Sequence, residues 1–274
     1  MSGSPLITLN SGQQMPQLGL GVYKVNQDIA VHLVQQALEI GYRRIDTAAL
    51  YDNEAEVGAG IRRSGLDREE VFVTSKIWND RHGYVEAKEA IQESLDRLNL
   101  GYVDMMLIHW PAPKQNKFVE TWRAFEELVE EGKLRGIGVA NFNIHHLETL
   151  LESASIVPAL NQVELNPTFQ QAELRAFNAK HGIATEAWAP LGRAKILDNP
   201  VLVELAEAHK KSAAQIVIRW HLQIGNLVIP KSSNPDRLAE NLDVFNFSLS
   251  DADMNAIAAM ETGVRASLNP DDLD

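Results

Sequence analysis

The chain has 274 residues, 45% of them hydrophobic, which is enough to build the core of one large α/β unit or two small ones. A formal charge of −12 argues against nucleic acid or an anionic membrane as partner, since both would be repelled, and any anionic ligand would need a local basic pocket. Cysteine is absent, which excludes disulfides, thiolate catalysis and cysteine-based metal sites.

The opening Met1-Ser2-Gly3-Ser4-Pro5 has no basic region followed by an apolar run, so no secretory signal is expected. No stretch approaches the roughly 18 apolar residues of a spanning helix. With no disulfides either, a cytoplasmic protein is expected. No exposed apolar stripe is evident, so monomer is the default.

Leu6–Leu9 and Gln14–Pro16 read as a small hairpin around a polar turn, ahead of a buried run from Leu18 to Tyr23. Ala30, Leu33, Val34, Ala37 and Leu38 then stripe one helix face, and Gly41 stops it. Strand and helix alternate from there. Arg44–Asp46 is a strand, and a helix follows from Asn53 to about Ser64, with Asn53 and Glu56 placed as cap and partner. Val71–Lys76, Val103–His109, Leu134–Ala140, Leu160–Val163, Ile183–Ala187 and Leu227–Pro230 are the remaining strands. Helices are expected between them, two of them (Asn199–His209 and Ser212–Gln223) before the last strand. Asn234-Pro235 opens one more helix and Ser250 with Asp253 caps another, before a polar tail. Eight strands, each followed by a helix, predict a single (β/α)8 barrel over residues 1–274. The competing doubly wound sheet would want a Gly-rich turn after its first strand, and Gly19-Leu20-Gly21 lacks the third glycine.

In a barrel, the C-terminal strand ends converge on one mouth. Asp46 ends one strand, Tyr51 follows in its loop, and Lys76 and His109 end the next two strands. Each alone has an ordinary structural explanation, as a turn, packing, surface or core residue. Together they suit carbonyl reduction. A carbonyl that receives hydride becomes an alkoxide and needs a proton. Tyr51 would hold one at neutral pH and donate it. Lys76 would lower the phenol's pKa, Asp46 would hold Lys76, and a neutral His109 would orient the carbonyl oxygen. No hydrolase-type nucleophile–base pair and no metal-ligand cluster is apparent. His145-His146 is assigned to surface and packing, because adjacent helical residues face apart.

The chain resembles the aldo/keto reductase superfamily over essentially its whole length. Gly41–Ala48 with Glu54 and Val57-Gly58, Leu107–Pro111, and Ile229–Ser232 with Arg237–Asn241 look like three family signatures. Pro16–Gly19, Lys76–Asp80, Arg219–Leu222 and Glu240–Phe245 are most similar to bacterial 2,5-diketo-D-gluconate reductases. The resemblance implies a hairpin closing the barrel bottom, extra C-terminal helices and extended NADPH without a Rossmann motif. It makes Tyr51 the general acid, Lys76 and Asp46 its tuning pair, and His109 the orienting group. Asn141 and Gln162 would bond the nicotinamide amide, and Trp188 would stack on the ring. Leu191 and Gly192 would run beside the pyrophosphate. Lys231, Ser232 and Arg237 would grip the 2′-phosphate side, with Glu240 and Asn241 near the adenine.

Three positions depart from the family pattern. Ala140 lacks a hydroxyl for the cofactor amide. Asn234 replaces a basic or small residue, which leaves NADH as a weaker alternative cofactor. Arg44 is a bulky charge expected to bear on packing or local charge, and none of the three departures touches the four catalytic positions. Tyr23, Trp78 and Trp110, with His109, are expected to wall in a small carbonyl substrate, although barrel packing would use the same aromatics. A cofactor-binding regulatory module with little turnover is the alternative. Without the resemblance, an isomerase or aldolase using Lys76 as a Schiff base would remain.

Overall fold

The computed structural model describes residues 3–274. β1 (Leu6–Thr8) and β2 (Gln14–Pro16) form an antiparallel hairpin. Eight strands follow in a parallel sheet ordered as in the chain: β3 (Leu20–Gly21), β4 (Arg44–Asp46), β5 (Phe72–Ile77), β6 (Met105–Ile108), β7 (Ile137–Ala140), β8 (Leu160–Glu164), β9 (Ala184–Trp188) and β10 (Leu227–Val228). The sheet curls until its edges meet. Leu18 pairs with Val228, and the Gly19 N–H donates to the Val228 carbonyl at 2.9 Å. A sheet closed in this way exposes no ladder edge.

Ten α-helices alternate with these strands among the described residues. The first is α1 (Gln27–Ile40), whose buried face is Ala30, Leu33, Val34, Ala37 and Leu38, with Gly41 ending it at φ 127°. Then come α2 (Glu54–Arg63), α3 (Tyr84–Leu98), α4 (Phe118–Glu130), α5 (Ile144–Leu151) and α6 (Ala172–Lys180). α7 (Pro200–His209) and α8 (Ala213–Gln223) both precede β10, and α9 (Pro235–Leu242) and α10 (Asp251–Ala258) follow it. A reciprocal cap is present at Ser212/Gln215 and, as expected, at Ser250/Asp253. α2 packs against the end of α3 at Gly58, where a Cβ would lie 1.9 Å from the Leu98 carbonyl oxygen, so only glycine permits this approach.

The hairpin lies across the N-terminal strand ends. Gln13 donates to the Asp104 carbonyl just before β6, and Asn10 to the Pro158 carbonyl just before β8, both at 3.0 Å. A recess of about 540 Å³ opens beside it, lined by Ile7, Leu9, Ala176, Ile183 and Ile224. It sits at the opposite end from the strand termini that carry Asp46, Lys76 and His109. No described helix is long and apolar enough to cross a membrane.

Burial sets the acid response of this fold. It lowers His82 and His146 to about 4 and His221 to about 3, and holds His109 well below the ordinary imidazole range. Below about pH 6.5 the unfolded chain takes up protons that these imidazoles refuse. Each therefore removes stability as pH falls from about 6.5 towards its folded value. Asp104 and Glu186, raised by burial, act in the opposite sense but are outnumbered. The urea midpoint is expected to fall steadily between about pH 6.5 and 5. A flat midpoint across that window would show that the histidines are not held neutral.

Candidate active site

Parallel strands put their C-terminal ends on one side, and four expected residues meet there. Asp46 ends β4, Lys76 lies one residue from the end of β5, and His109 follows β6. Tyr51 closes a 3₁₀ turn, Ala49–Tyr51, after β4. The Lys76 Nζ is 2.6 Å from Asp46 Oδ1 and donates to the Thr47 carbonyl at 2.8 Å. It also lies 5.1 Å from the centre of the Tyr51 ring. The His109 ring stands edge-on to Tyr51 at 5.7 Å and to Trp78 at 5.1 Å, and Tyr23 packs on Tyr51 at 5.1 Å. Tyr23 is half exposed, so this aromatic group opens to solvent.

Asn53 holds the turn that carries Tyr51. It stands at the N-cap position of α2, but its side chain makes no cap and the expected pairing with Glu56 is not formed. Its Oδ1 accepts from the Thr47 hydroxyl at 2.7 Å, and its Nδ2 donates to the Val22 and Val25 carbonyls. A buried amide that can satisfy three partners is better used there than at a solvated helix end. It ties the loop bearing Tyr51 to the loop bearing Tyr23.

Burial pushes the Tyr51 phenol up to about 12, outweighing the opposite pull of Lys76, while Asp46 adds to the rise. The expected lowering by Lys76 is thus present but not dominant, because desolvation penalises a phenolate more. Burial also acts to lower the Lys76 ammonium. Asp46 and then Tyr51 more than offset it, leaving Lys76 above the ordinary lysine value. Burial and the Lys76 charge both disfavour a charged His109. The mouth therefore holds a protonated phenol, a charged ammonium and a neutral imidazole near neutral pH.

The aldo/keto reductase family model matches residues 15–262. The chain belongs to the aldo/keto reductase family. It is 50% identical over 268 residues to a glyoxal reductase of Bacillus subtilis, covering 97% of this chain and 96% of that one. It is 45% identical to the methylglyoxal reductase DkgA of Escherichia coli, covering 99% and 98%. A point mutant of Gox0644, solved in complex with NADPH, superposes with a TM-score of 0.96 at 45% identity, covering all of both chains. As a member of this family, the chain is an oxidoreductase.

Around the mouth of this reductase, the remaining expected residues differ in how free they are. Gln162, on β8, directs its Nε2 to Asp46 Oδ2 and to Glu186 Oε2, each at 2.7 Å. Two carboxylates can only accept, which assigns the amide nitrogen to that side and leaves Oε1 as the free acceptor. Asn141 has φ 63°, a left-handed conformation that asparagine tolerates better than most residues. Its Nδ2 donates to the His109 carbonyl at 2.9 Å, and its Oδ1 accepts from the Trp188 indole at 2.8 Å. One N–H and one lone pair remain on it for a ligand amide. Neighbouring Ala140 is buried and apolar.

Leu191 and Gly192 lie in a segment where Ala189, Gly192, Arg193 and Ala194 all have positive φ. Beyond β10, Lys231 and Arg237 are exposed with no acidic partner among the described residues. Ser232 turns onto Asn234, whose side chain accepts from the N–H groups of Asp236 and Arg237 at the start of α9. Glu240 is half-buried and Asn241 buried on the same helix. Two unpaired cations beside a helix N-terminus, in a chain of charge −12, fit a phosphate group. Trp110 is buried and stands outside the aromatic group of Tyr23, Tyr51, Trp78 and His109.

Arg44 touches none of the four catalytic candidates, as expected, yet it is tied to them through a further carboxylate. It is fully buried, with its guanidinium 2.6 Å from Glu186, the carboxylate that Gln162 links to Asp46. Glu186 was not singled out by sequence reasoning, although its position two residues before Trp188 offered a signal. His145 is exposed and His146 buried, the surface and packing places expected of them, but their side chains do not point apart. The His145 and His146 rings are 4.0 Å apart, and both Nε2 atoms approach Asp271 Oδ1, at 3.0 and 3.3 Å. Asn143 Nδ2 reaches the same oxygen at 3.0 Å. His146 Nδ1 accepts from the Asn143 backbone N–H, so the proton of the neutral ring sits on Nε2. That tautomer is wrong for a metal ligand at Nε2.

Proposed function

We propose that this reductase is an NADPH-dependent carbonyl reductase acting on small α-dicarbonyl compounds of the methylglyoxal type, with Tyr51 as general acid. The observation that supports the reading best is the convergence of protonated Tyr51 and charged Lys76 beside neutral His109. NADPH, when bound, supplies a hydride from nicotinamide C4. Gln162 Oε1 and Asn141 would hold the carboxamide, Trp188 would pack on the nicotinamide, and Leu191 and Gly192 would border the pyrophosphate. Lys231, Ser232 and Arg237 take the 2′-phosphate, with Glu240 and Asn241 at the adenine. His109 donates to the substrate oxygen. Tyr51 then delivers its proton to the forming alkoxide, and the Lys76 charge stabilises the phenolate left behind. Asp46 keeps Lys76 in place. Tyr23, Trp78 and Trp110 shape the substrate wall. In this reading the protein is cytosolic, monomeric and one domain, and Asn234 leaves some use of NADH.

The substrate class rests on what the Bacillus and Escherichia relatives are named for. 2,5-Diketo-D-gluconate, suggested by the signature residues, is the second substrate to try. A regulatory module with little turnover is less favoured, since all four catalytic candidates are present. Schiff-base chemistry is disfavoured too, because an ammonium held by Asp46 above its ordinary pKa is a poor nucleophile. A steady-state panel of methylglyoxal, 2,5-diketo-gluconate and a simple aromatic aldehyde, with NADPH and NADH, tests the proposal. The highest kcat/KM is expected for methylglyoxal with NADPH. Binding of NADPH without turnover on any carbonyl would favour the regulatory reading.

A further inference from the structure

Among the buried charged side chains, Arg44, Asp46, Lys76 and Glu186 form one connected array, and the proposed mechanism uses only Asp46 and Lys76. Arg44 and Asp46 are two apart on β4, so they share its inward face. Gln162 on β8 and Glu186 on β9 are register partners. The contacts run in one line: Arg44 to Glu186 at 2.6 Å, Glu186 to Gln162 at 2.7 Å, Gln162 to Asp46 at 2.7 Å, and Asp46 to Lys76 at 2.6 Å. Arg44, Glu186 and Lys76 are fully buried, and Gln162 and Asp46 nearly so. The array contains two cations and two anions and is neutral as a whole.

We infer that Arg44 and Glu186 are positioning residues of this site, a buried ion pair that acts through Gln162 to seat Asp46 on Lys76 and to fix the amide orientation that presents Gln162 Oε1. The inference rests on the reductase reading above.

The fold is shaped to hold the pair. A Cβ on Gly19 would lie 2.3 Å from Arg44 Nε, so this glycine leaves room for the guanidinium. Arg44 also donates to the Val228 carbonyl at 2.8 Å and the Gln17 carbonyl at 3.3 Å, across the seam where the sheet closes. Stability alone does not call for such an arrangement. Barrel interiors are usually filled by branched apolar side chains, and an apolar replacement of a buried ion pair is often neutral or stabilising. What an apolar pair could not do is accept the second Gln162 N–H. Without that acceptor the Gln162 amide is held by Asp46 alone. Nor could an apolar pair add a negative charge near Lys76, which Glu186 supplies and which favours the ammonium.

The decisive variants are Arg44→Met/Glu186→Leu, which removes both charges, and Glu186→Gln, which removes one. Three quantities are read on each full-length protein: the thermal midpoint, NADPH Kd by quenching of protein fluorescence, and the pH profile of kcat with methylglyoxal. The double variant is expected to keep or raise the midpoint, yet to bind NADPH about tenfold more weakly, since one fixed hydrogen bond is worth about that factor. Glu186→Gln is expected to move the basic limb of the profile to lower pH, as Lys76 loses a supporting charge. Arg44→Lys, which keeps a cation for Glu186, is expected to leave the limb in place. Should the double variant fail to fold, the contrast between Glu186→Gln and Arg44→Lys decides alone. A midpoint that changes while Kd and the limb stay at wild-type values in every folded variant would overturn the inference. If the wild type turns over no carbonyl, the reductase reading falls, and the NADPH Kd values still decide whether the pair positions Gln162.

Discussion

Tyr51→Phe is expected to reduce kcat for carbonyl reduction by about 10²–10⁴-fold, the usual worth of a positioned general acid. The substitution removes one hydroxyl and keeps the ring. The packing of that ring against Tyr23 and His109 should therefore survive, and NADPH affinity should be unchanged. Stability should change little or rise, since a buried phenol raised to about 12 is held neutral by the fold in any case. Steady-state rates with methylglyoxal, set beside an NADPH titration, separate loss of the proton donor from loss of binding. A wild-type kcat in this variant would remove Tyr51 from the mechanism. The Lys76 ammonium, which also lies against the Tyr51 ring, is engaged by Asp46 and the Thr47 carbonyl.

Lys76→Met is expected to act on two levels. It leaves the Asp46 carboxylate buried without its cation, and breaking a buried pair in this way costs about 3–5 kcal/mol. It also removes the charge that stabilises the Tyr51 phenolate, so kcat should fall by at least about 10²-fold. The two effects can be separated. Adding Asp46→Leu removes the stranded carboxylate and should recover most of the lost stability, while activity stays low. Urea unfolding and steady-state rates on the single and double variants provide the comparison. Equal recovery of stability and activity in the double variant would mean that Lys76 serves only to neutralise Asp46.

Much of the fold was legible because parallel strands buried on both faces read as continuous apolar runs. Val71–Lys76 and Val103–His109 announced β5 and β6, and the five-residue stripe of α1 is the face the structure buries. The catalytic candidates were legible for a topological reason. Alternating strands and helices send every strand the same way, so polar residues at strand ends collect at one mouth. What escaped was partner choice over long separations. Gln162 and Asp46 are 116 residues apart, and nothing local states that the amide bridges two carboxylates. The two-residue period of β4 did place Arg44 on the face of Asp46, a signal present in the sequence and left unused. Asn53 was misread because its N-cap position is real while its side chain serves two loop carbonyls and a hydroxyl. The histidine pair took the surface and packing places expected, but the rule for adjacent helical residues did not foresee rings 4.0 Å apart. Both Nε2 atoms lie near one oxygen of Asp271, on the tail.

The central claim is that this chain passes a hydride from nicotinamide to a carbonyl carbon while Tyr51 protonates the oxygen. Turnover of methylglyoxal with NADPH deuterated at the transferable C4 position, followed by mass spectrometry of the alcohol, tests it most directly. The account predicts one carbon-bound deuterium per product molecule formed by the wild type, and almost no product from Tyr51→Phe. Product formed by the wild type without carbon-bound deuterium would contradict it.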